Sequence, residues 1–315
     1  MPQGSSQSPR TAFVTGASGF VGSAVVDELL SRGHRVHTLT RRRLSEKPNV
    51  VPFAGGLSDT SVLDAGLAGC DTVVHLVGII RETDGQTTFE AVHRDGTIRL
   101  LDRAKAAGVR RFIYMSALGA GPASASRYAT TKFAAEEAVR ASGLQWTIFR
   151  PSVIHGPQGD FVKMVADFAR GKSLPYVFMP YFGVGLTGHT PKKLQPVDVR
   201  DVARATADAV DRPDLAGQTI NLVGSQVVDW RQVYQVIGET VTDSPRISVG
   251  LPVWYARVIA SVLPNKWLPF NKSQVVMAGE DNVADVDETE RQLGWRPRPF
   301  AAAFREYGQS LKEVK

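Results

Sequence analysis

The chain has 315 residues, of which 43% are hydrophobic and 22% charged, the balance of a globular protein rather than a disordered or fibrous one. Lysine and arginine number 37 against 31 acids, a net charge of +6 that is too small and too dispersed to indicate nucleic acid; a phosphate-bearing small ligand accounts for it equally well. Cys70 is the one cysteine, so no intrachain disulfide exists and a cytoplasmic protein is expected.

Residues 1–10, rich in Ser, Gln and Pro, lack an apolar stretch and read as a disordered lead rather than a signal peptide. From Thr11 the pattern alternates. Residues 12–15 are a short apolar run; residues 20–31 carry Val21, Val25, Val26, Leu29 and Leu30 at helical spacing, with Gly33 as the stop. Strands follow at 35–40 and 71–77, the latter nearly all apolar, as in a strand buried on both faces. A helix is expected over 97–107, a strand over 111–115, a helix over 128–142 and a strand over 146–149. This order predicts an α/β fold, a Rossmann-type doubly wound parallel sheet.

Beyond Pro151 the regularity decays. Residues 198–211 and 229–240 look helical and 219–223 extended. A smaller C-terminal α/β lobe is expected over 156–315, with 195–225 returning to a core of 11–155. Residues 173–191 contain no charged side chain, but Pro175, Pro180, Gly183, Gly185 and Gly188 interrupt them too often for a membrane-spanning helix. They read as an aromatic loop bearing Tyr176, Phe178, Tyr181 and Phe182. That loop suggests an apolar substrate, or else rings that complete the small lobe's core. Residues 253–264 are a short apolar segment, read as a buried helix or as a face for a membrane surface or protein partner. Asp201 reads as a helix cap.

The first strand runs into Thr15-Gly16-Ala17-Ser18-Gly19-Phe20-Val21-Gly22. Glycines there give a tight turn, close approach of backbone to a pyrophosphate and close helix–strand packing, while the helix start favours a diphosphate. After the second strand stand Arg41, Arg42 and Arg43, where an NAD site would carry an acid for the ribose 2′-hydroxyl. A guanidinium suits a 2′-phosphate, so NADP(H) is favoured, with NAD(H) as the alternative. Tyr128 and Lys132 lie four apart, on one face of a helix. An ammonium beside a phenol is expected to lower the phenol's pKa toward the working range, readying it for the proton that accompanies hydride transfer. His75 and His93 read as packed or satisfied polar groups, no metal site is expected, and nucleic-acid motifs are missing.

Residues 14–22, 73–80, 108–119, 127–137, 147–157 and 195–203 together resemble the extended and atypical short-chain dehydrogenase/reductases. The likeness is strongest to the branch of the complex I nucleotide-binding accessory subunit and its bacterial relatives. The resemblance implies that Gly16, Ser18, Gly19, Phe20, Val21 and Gly22 hold the pyrophosphate, and Arg41 and Arg42 the adenosine phosphate. It further implies that Leu57 lines the adenine, that Leu76, Val77 and Gly78 follow the ribose side, and that Pro151 and Val153 approach the nicotinamide. Catalysis would fall to Tyr128, Lys132 and Ser116, with Lys132 also on the ribose. Two departures stand out. Gly56 replaces an acid common at the adenine, leaving its backbone or Asp59. Ala117 occupies the position of the usual catalytic hydroxyl, with Ser116, Ser124 and Ser126 as rivals, which predicts slow turnover of generic ketones and nucleotide sugars. Three functions follow: an oxidoreductase on a carbonyl, hydroxyl or lipid-like small molecule; a non-catalytic nucleotide-binding subunit or redox sensor; or a nucleotide-sugar epimerase or dehydratase. The oligomeric state is not legible.

Overall fold

The computed structural model describes residues 9–41, 46–82, 85, 87–184, 188, 190–254 and 280–312. In chain order come β1 (Thr11–Thr15), α1 (Phe20–Ser31), β2 (Arg35–Thr40), β3 (Val50–Ala54), α2 (Thr60–Leu67) and β4 (Thr72–His75). A π-helical turn, Glu90–Asp95, then runs into α3 (Gly96–Ala106), followed by β5 (Arg111–Met115), α4 (Arg127–Arg140) and β6 (Gln145–Pro151). The remainder is β7 (Ile154–His155), α5 (Asp160–Arg170), β8 (Phe178–Val184), β9 (Thr190–Pro191), β10 (Lys193–Leu194), β11 (Val197–Asp198), α6 (Val199–Asp211), β12 (Gln218–Leu222), β13 (Val228–Asp229), α7 (Trp230–Val241), β14 (Ile247–Pro252), α8 (Val286–Leu293) and α9 (Phe300–Gly308). No helix among the described residues is long and apolar enough to cross a membrane.

Seven of the described strands form one sheet in the order β12-β6-β5-β4-β1-β2-β3, and the pairs from β6 through β3 are parallel. This is the Rossmann-type sheet the alternation predicts. The central strands β1, β4 and β5 are buried along almost their whole length because both faces are covered. Phe13, Val73 and Phe112 enter a core with Leu63 of α2, Leu100 of α3 and Val139 of α4. Their neighbours along the strands, Ala12, Val14, Val74 and Ile113, are equally buried and by alternation face the opposite side. There Arg32 at the end of α1 donates to Asp208 (2.8 Å) and Asp211 (3.0 Å) of α6. β3 and α2 escape the sequence reading because Val50–Ala54 is mostly exposed and carries Pro52, so its apolar signal is weak.

The chain divides into two compact units. The first comprises 1–116, 131–150 and 202–220, and the second 117–130, 151–201 and 221–315. In the first, α4 is fastened to β6 through a buried carboxylate. Glu136, with no solvent exposure, accepts from Arg150 Nε (2.8 Å) and Nη2 (2.6 Å) and from Arg140 Nη2 (2.8 Å).

The second unit has its own core, in which Val162, Val165 and Phe168 of α5 meet Tyr234 and Ile237 of α7 and Phe300 and Phe304 of α9. α7 opens with a reciprocal cap between Asp229 and Gln232. Two expectations are corrected here. Residues 173–191 are not one loop: Phe178–Val184 is β8, paired in parallel with β14, and Tyr181 is buried in the core with its hydroxyl accepting from Arg231 Nε at 3.2 Å. Alternation along β8 turns ring 181 inward, so it completes the lobe's core. Asp201 does not cap α6; its carboxylate accepts from the Arg298 N–H (2.7 Å) and guanidinium (3.0 Å), while Asp198 accepts from the Arg200 N–H (2.7 Å) at the helix start. Of residues 253–264, all but Val253 and Trp254 lie outside the described residues, as do Arg42 and Arg43.

The Glu136 triad makes a measurable prediction. Arg150→Met strands half of a buried carboxylate's partners and should cost about 3 kcal/mol of unfolding free energy. Glu136→Leu combined with Arg150→Met should recover more than half of that loss in denaturant titrations, because the desolvated charge is gone.

Candidate functional site

β1 has β4 on one side and β2 on the other, so chain order reverses at β1 and opens a crevice at the carboxyl ends of the strands. The glycine turn fills that position. Gly16 has φ +75°, and a Cβ there would lie 3.3 Å from Leu76 C and Val77 N, so the turn lies against the exit of β4. A Cβ on Gly22 would fall 2.0 Å from Gly16 O, which only a bare backbone avoids. Gly19 is the N-cap of α1 and offers no side chain to accept from the first-turn N–H groups. Ser18, Phe20 and Val21 sit on the same turn. These N–H groups and the helix dipole are arranged for an anion.

Around the turn, Arg41 leaves β2 exposed. Leu57 packs onto the sheet's core beside Gly96, where a Cβ would meet Leu57 Cδ1 at 2.8 Å. Asp59 accepts from the Gly56 N–H at 2.6 Å, so its carboxylate is used within its own turn.

Under the crevice runs a chain of hydrogen bonds that the sequence did not disclose. The Leu76 N–H donates to Thr15 Oγ1 (3.3 Å), whose hydroxyl donates to His75 Nδ1 (2.7 Å); His75 Nε2–H donates to Thr97 Oγ1 (3.0 Å), which donates to His93 O (2.5 Å). Every donor and acceptor is matched with His75 neutral, and burial and the charge of Lys132 push its pKa down to about 3. His93 Nε2 accepts from the Ile79 N–H (3.1 Å), and its Nδ1 pairs with Thr131 Oγ1 (3.0 Å). Burial, with Lys132 again, lowers His93 to about 2. Both histidines are satisfied polar groups, as expected.

Lys132 is the site's buried cation, 3% exposed. Its ammonium donates to Met115 O (2.9 Å) and stands 5.2 Å from the centre of the Tyr114 ring. It is close enough to Gly78 that a Cβ there would be 2.9 Å from Nζ. Burial lowers its pKa to about 8, partly opposed by Glu136 one turn further along α4. Ser116, the next residue after β5, has a buried hydroxyl with no hydrogen-bond partner among the described residues.

Tyr128 lies one turn before Lys132 on α4. Burial pushes its phenol up to about 12, so the expected lowering is overturned: desolvation outweighs any help from charge, and the phenol is protonated at neutral pH. Of the rival hydroxyls, Ser124 Oγ accepts from the Ser126 N–H (3.2 Å), whereas the Ser126 hydroxyl is buried without a partner among the described residues. Ala117 is buried. In the second unit, Pro151 O accepts from the Leu118 N–H (2.9 Å), and Val153 packs on that unit's core with its N–H donated to Asn282 Oδ1 (3.2 Å).

Comparison with known proteins agrees with this geometry. Residues 16–172 match a family described as NAD(P)H-binding. The chain is 30% identical to the Arabidopsis thaliana mitochondrial NADH dehydrogenase [ubiquinone] 1 alpha subcomplex subunit 9, over 98% of this chain and 81% of that one. It belongs to the extended short-chain dehydrogenase/reductase family. Sterol demethylase protein B of Methylococcus capsulatus is 28% identical to this short-chain dehydrogenase/reductase, over 93% of this chain and 96% of that one. The same fold occurs in the UDP-glucose 4-epimerase of Thermus thermophilus in complex with NAD, with TM-score 0.66 and 20% identity over 94% of this chain and 99% of that one. A nicotinamide dinucleotide is therefore the cofactor class of this short-chain dehydrogenase/reductase.

The clearance at Gly78 is testable. A methyl group in Gly78→Ala meets the far end of the Lys132 side chain, which can swing away, so the fold should survive with its melting temperature nearly unchanged. Displacing the ammonium should weaken nicotinamide dinucleotide binding at least about tenfold by calorimetry, the loss of a charge-assisted hydrogen bond.

Proposed function

We propose that the protein is an NADP(H)-dependent reductase that transfers hydride between the nicotinamide and a carbonyl or hydroxyl carbon of an apolar, lipid-like substrate. The observation that carries this reading is the buried Lys132 ammonium, which spends one hydrogen bond on Met115 O and faces the bare backbone of Gly78. An ammonium so poorly compensated calls for further acceptors, and the ribose hydroxyls of a nicotinamide nucleotide supply them. Gly16, Ser18, Gly19, Phe20, Val21 and Gly22 then hold the pyrophosphate. Arg41, with Arg42, takes the 2′-phosphate. Leu57 borders the adenine, Leu76 and Val77 the ribose side, and Pro151 and Val153 the nicotinamide.

When bound, the cofactor supplies or accepts the hydride. The chain's own residues handle the proton and the geometry. Tyr128, held protonated, donates its proton to the substrate oxygen as the carbonyl is reduced, and the Lys132 charge stabilises the phenolate left behind. The Ser116 hydroxyl, without a partner among the described residues, serves as the second donor to that oxygen in place of the missing hydroxyl at Ala117. The apolar class of substrate draws support from the full-length likeness to sterol demethylase protein B. The lone, buried Cys70 fits action in the cytoplasm. A second reading, a nucleotide-binding subunit without turnover, is favoured by Ala117 and by the likeness to the mitochondrial NADH dehydrogenase subunit. Substrate-dependent oxidation of NADPH separates the two.

Cofactor choice is tested first. NADPH should raise the melting temperature more than NADH at equal concentration; a ligand at about 100 times its Kd contributes about 2.7 kcal/mol. Arg41→Asp should shrink the NADPH shift selectively, and equal shifts in the unaltered protein would refute the 2′-phosphate assignment.

Proton transfer is tested through pH. Lys132 is charged below about pH 8 and neutral above it, so kcat/KM for reduction should fall as pH rises through that value. Lys132→Arg, always charged, should be slower but lack this alkaline fall. Tyr128→Phe should lose at least about 10²-fold in kcat while dinucleotide affinity stays near that of the unaltered protein.

A further inference from the structure

The connection from β3 to α2, residues 55–59, is tied down at most of its polar groups. The Gly55 N–H donates to Thr40 O (3.1 Å), which joins it to the exit of β2, and the Asp59 N–H donates to Gly56 O (3.1 Å). Arg99 Nη1, reaching across from α3, donates to Leu57 O (3.2 Å), while the Leu57 side chain packs onto the sheet's core. The backbone is thereby pre-organised, so a ligand need not order it.

Asp59 stands at the N-cap of α2 and does not cap it. An aspartate in that place ordinarily accepts from N–H groups of the first helical turn. This one turns back, and its Oδ2 accepts from the Gly56 N–H at 2.6 Å. Two glycines clear its way. A Cβ on Gly55 would lie 3.0 Å from Asp59 Oδ2, and one on Gly56 3.7 Å from the same atom, so a longer side chain at either position would compete for the carboxylate's place. The other oxygen, Oδ1, has no hydrogen-bond partner among the described residues, and neither have the N–H groups of Leu57 and Ser58. Ser58 and Asp59 are exposed and Leu57 half-buried, so these groups are open to a ligand.

Strand order says what reaches them. β1, β2 and β3 are parallel neighbours in the sheet, and their exits stand about 5 Å apart. The glycine turn follows β1 and Arg41 follows β2. In a dinucleotide the base hangs from its ribose on the side away from the pyrophosphate. A dinucleotide laid across the first two exits therefore brings its base to the third, at residues 55–59.

We propose that Asp59 recognises the base of the dinucleotide, its Oδ1 accepting from the exocyclic amine of adenine while the Leu57 or Ser58 N–H donates to the adjacent ring nitrogen N1. Adenine presents a donor beside an acceptor on that edge, the complement of a carboxylate oxygen beside a backbone N–H. Hypoxanthine has an oxygen in place of the amine and a proton on N1, so both contacts become repulsive. The proposal deepens the dinucleotide reading and rests on it, but needs nothing from the hydride chemistry.

The test is calorimetry of the full chain with NADPH and with its deamino form, reduced nicotinamide hypoxanthine dinucleotide phosphate. The two carry equal charge, so their affinity ratio is insensitive to long-range electrostatics and reports the contact with the base. NADPH should bind at least about tenfold more tightly. In Asp59→Asn the amide oxygen keeps the Gly56 N–H and the amide N–H₂ replaces Oδ1, offering a donor to the hypoxanthine oxygen. That variant should keep its melting temperature while the ratio falls at least about fivefold, from weaker NADPH and tighter deamino binding together. Asp64→Asn, which removes a charge of the same helix that is paired with Arg103, should leave the ratio unchanged. Equal affinities for the two dinucleotides in the unaltered protein overturn the proposal, as does an undiminished ratio in Asp59→Asn, and either result leaves the dinucleotide reading standing. Failure of both dinucleotides to bind overturns that reading and the proposal with it.

Discussion

A lysine ammonium withdrawn from water is the constraint around which the first unit is organised. Burying a charge without full compensation is costly, and among the described residues Lys132 has one carbonyl acceptor, the face of one ring and the charge of Glu136 one turn away. Its position is therefore enforced by the scaffold. α4 cannot roll, because Glu136, one turn beyond Lys132, is clasped by Arg150 from β6 and by Arg140 from α4 itself. The Met115 carbonyl is fixed by β5 in the middle of the sheet, and Gly78 leaves room because it has no side chain to occupy it. The same charge acts at a distance on His75 and His93. Both are kept neutral, which suits a region where a second cation would repel the first.

Much of the fold was legible because its signals are local and repeated. Strand β1, the glycine turn and α1 follow one another with no ambiguity, and the tight approach at Gly22 is the physical reason a glycine stands there. Helices α4, α6 and α7 carry apolar faces that sequence spacing reveals, and their ends fell within a few residues of those expected. What escaped depended on tertiary context. β3 is an exposed strand containing a proline. β8 looked like a loop because it lies among prolines and glycines and draws its order from pairing with β14, about seventy residues away. Asp201 had the local pattern of a cap, yet its partner is Arg298, far along the chain.

The candidate site divides in the same way. The glycines, Arg41, Tyr128 and Lys132 could be named from spacing. The electrostatics could not: spacing places a phenol near an ammonium, but only the surroundings show that desolvation prevails and keeps the phenol protonated. The bonded chain from Leu76 through Thr15, His75 and Thr97 to His93 joins β1, the end of β4, a π-helical turn and α3, with nothing in the sequence to announce it. Ser116 showed the opposite case, an unremarkable serine in sequence whose hydroxyl proves buried and without a partner among the described residues.

Cys70 has a practical consequence. It is buried, its Sγ is engaged by Gly66 O at 3.3 Å, and burial and Asp71 push the thiol up to about 12. Reagents that need a thiolate will find almost none at neutral pH. Alkylating reagents should therefore leave Cys70 largely unmodified in the native protein, so a single cysteine introduced on the surface should carry a fluorophore or spin label without prior removal of the natural one.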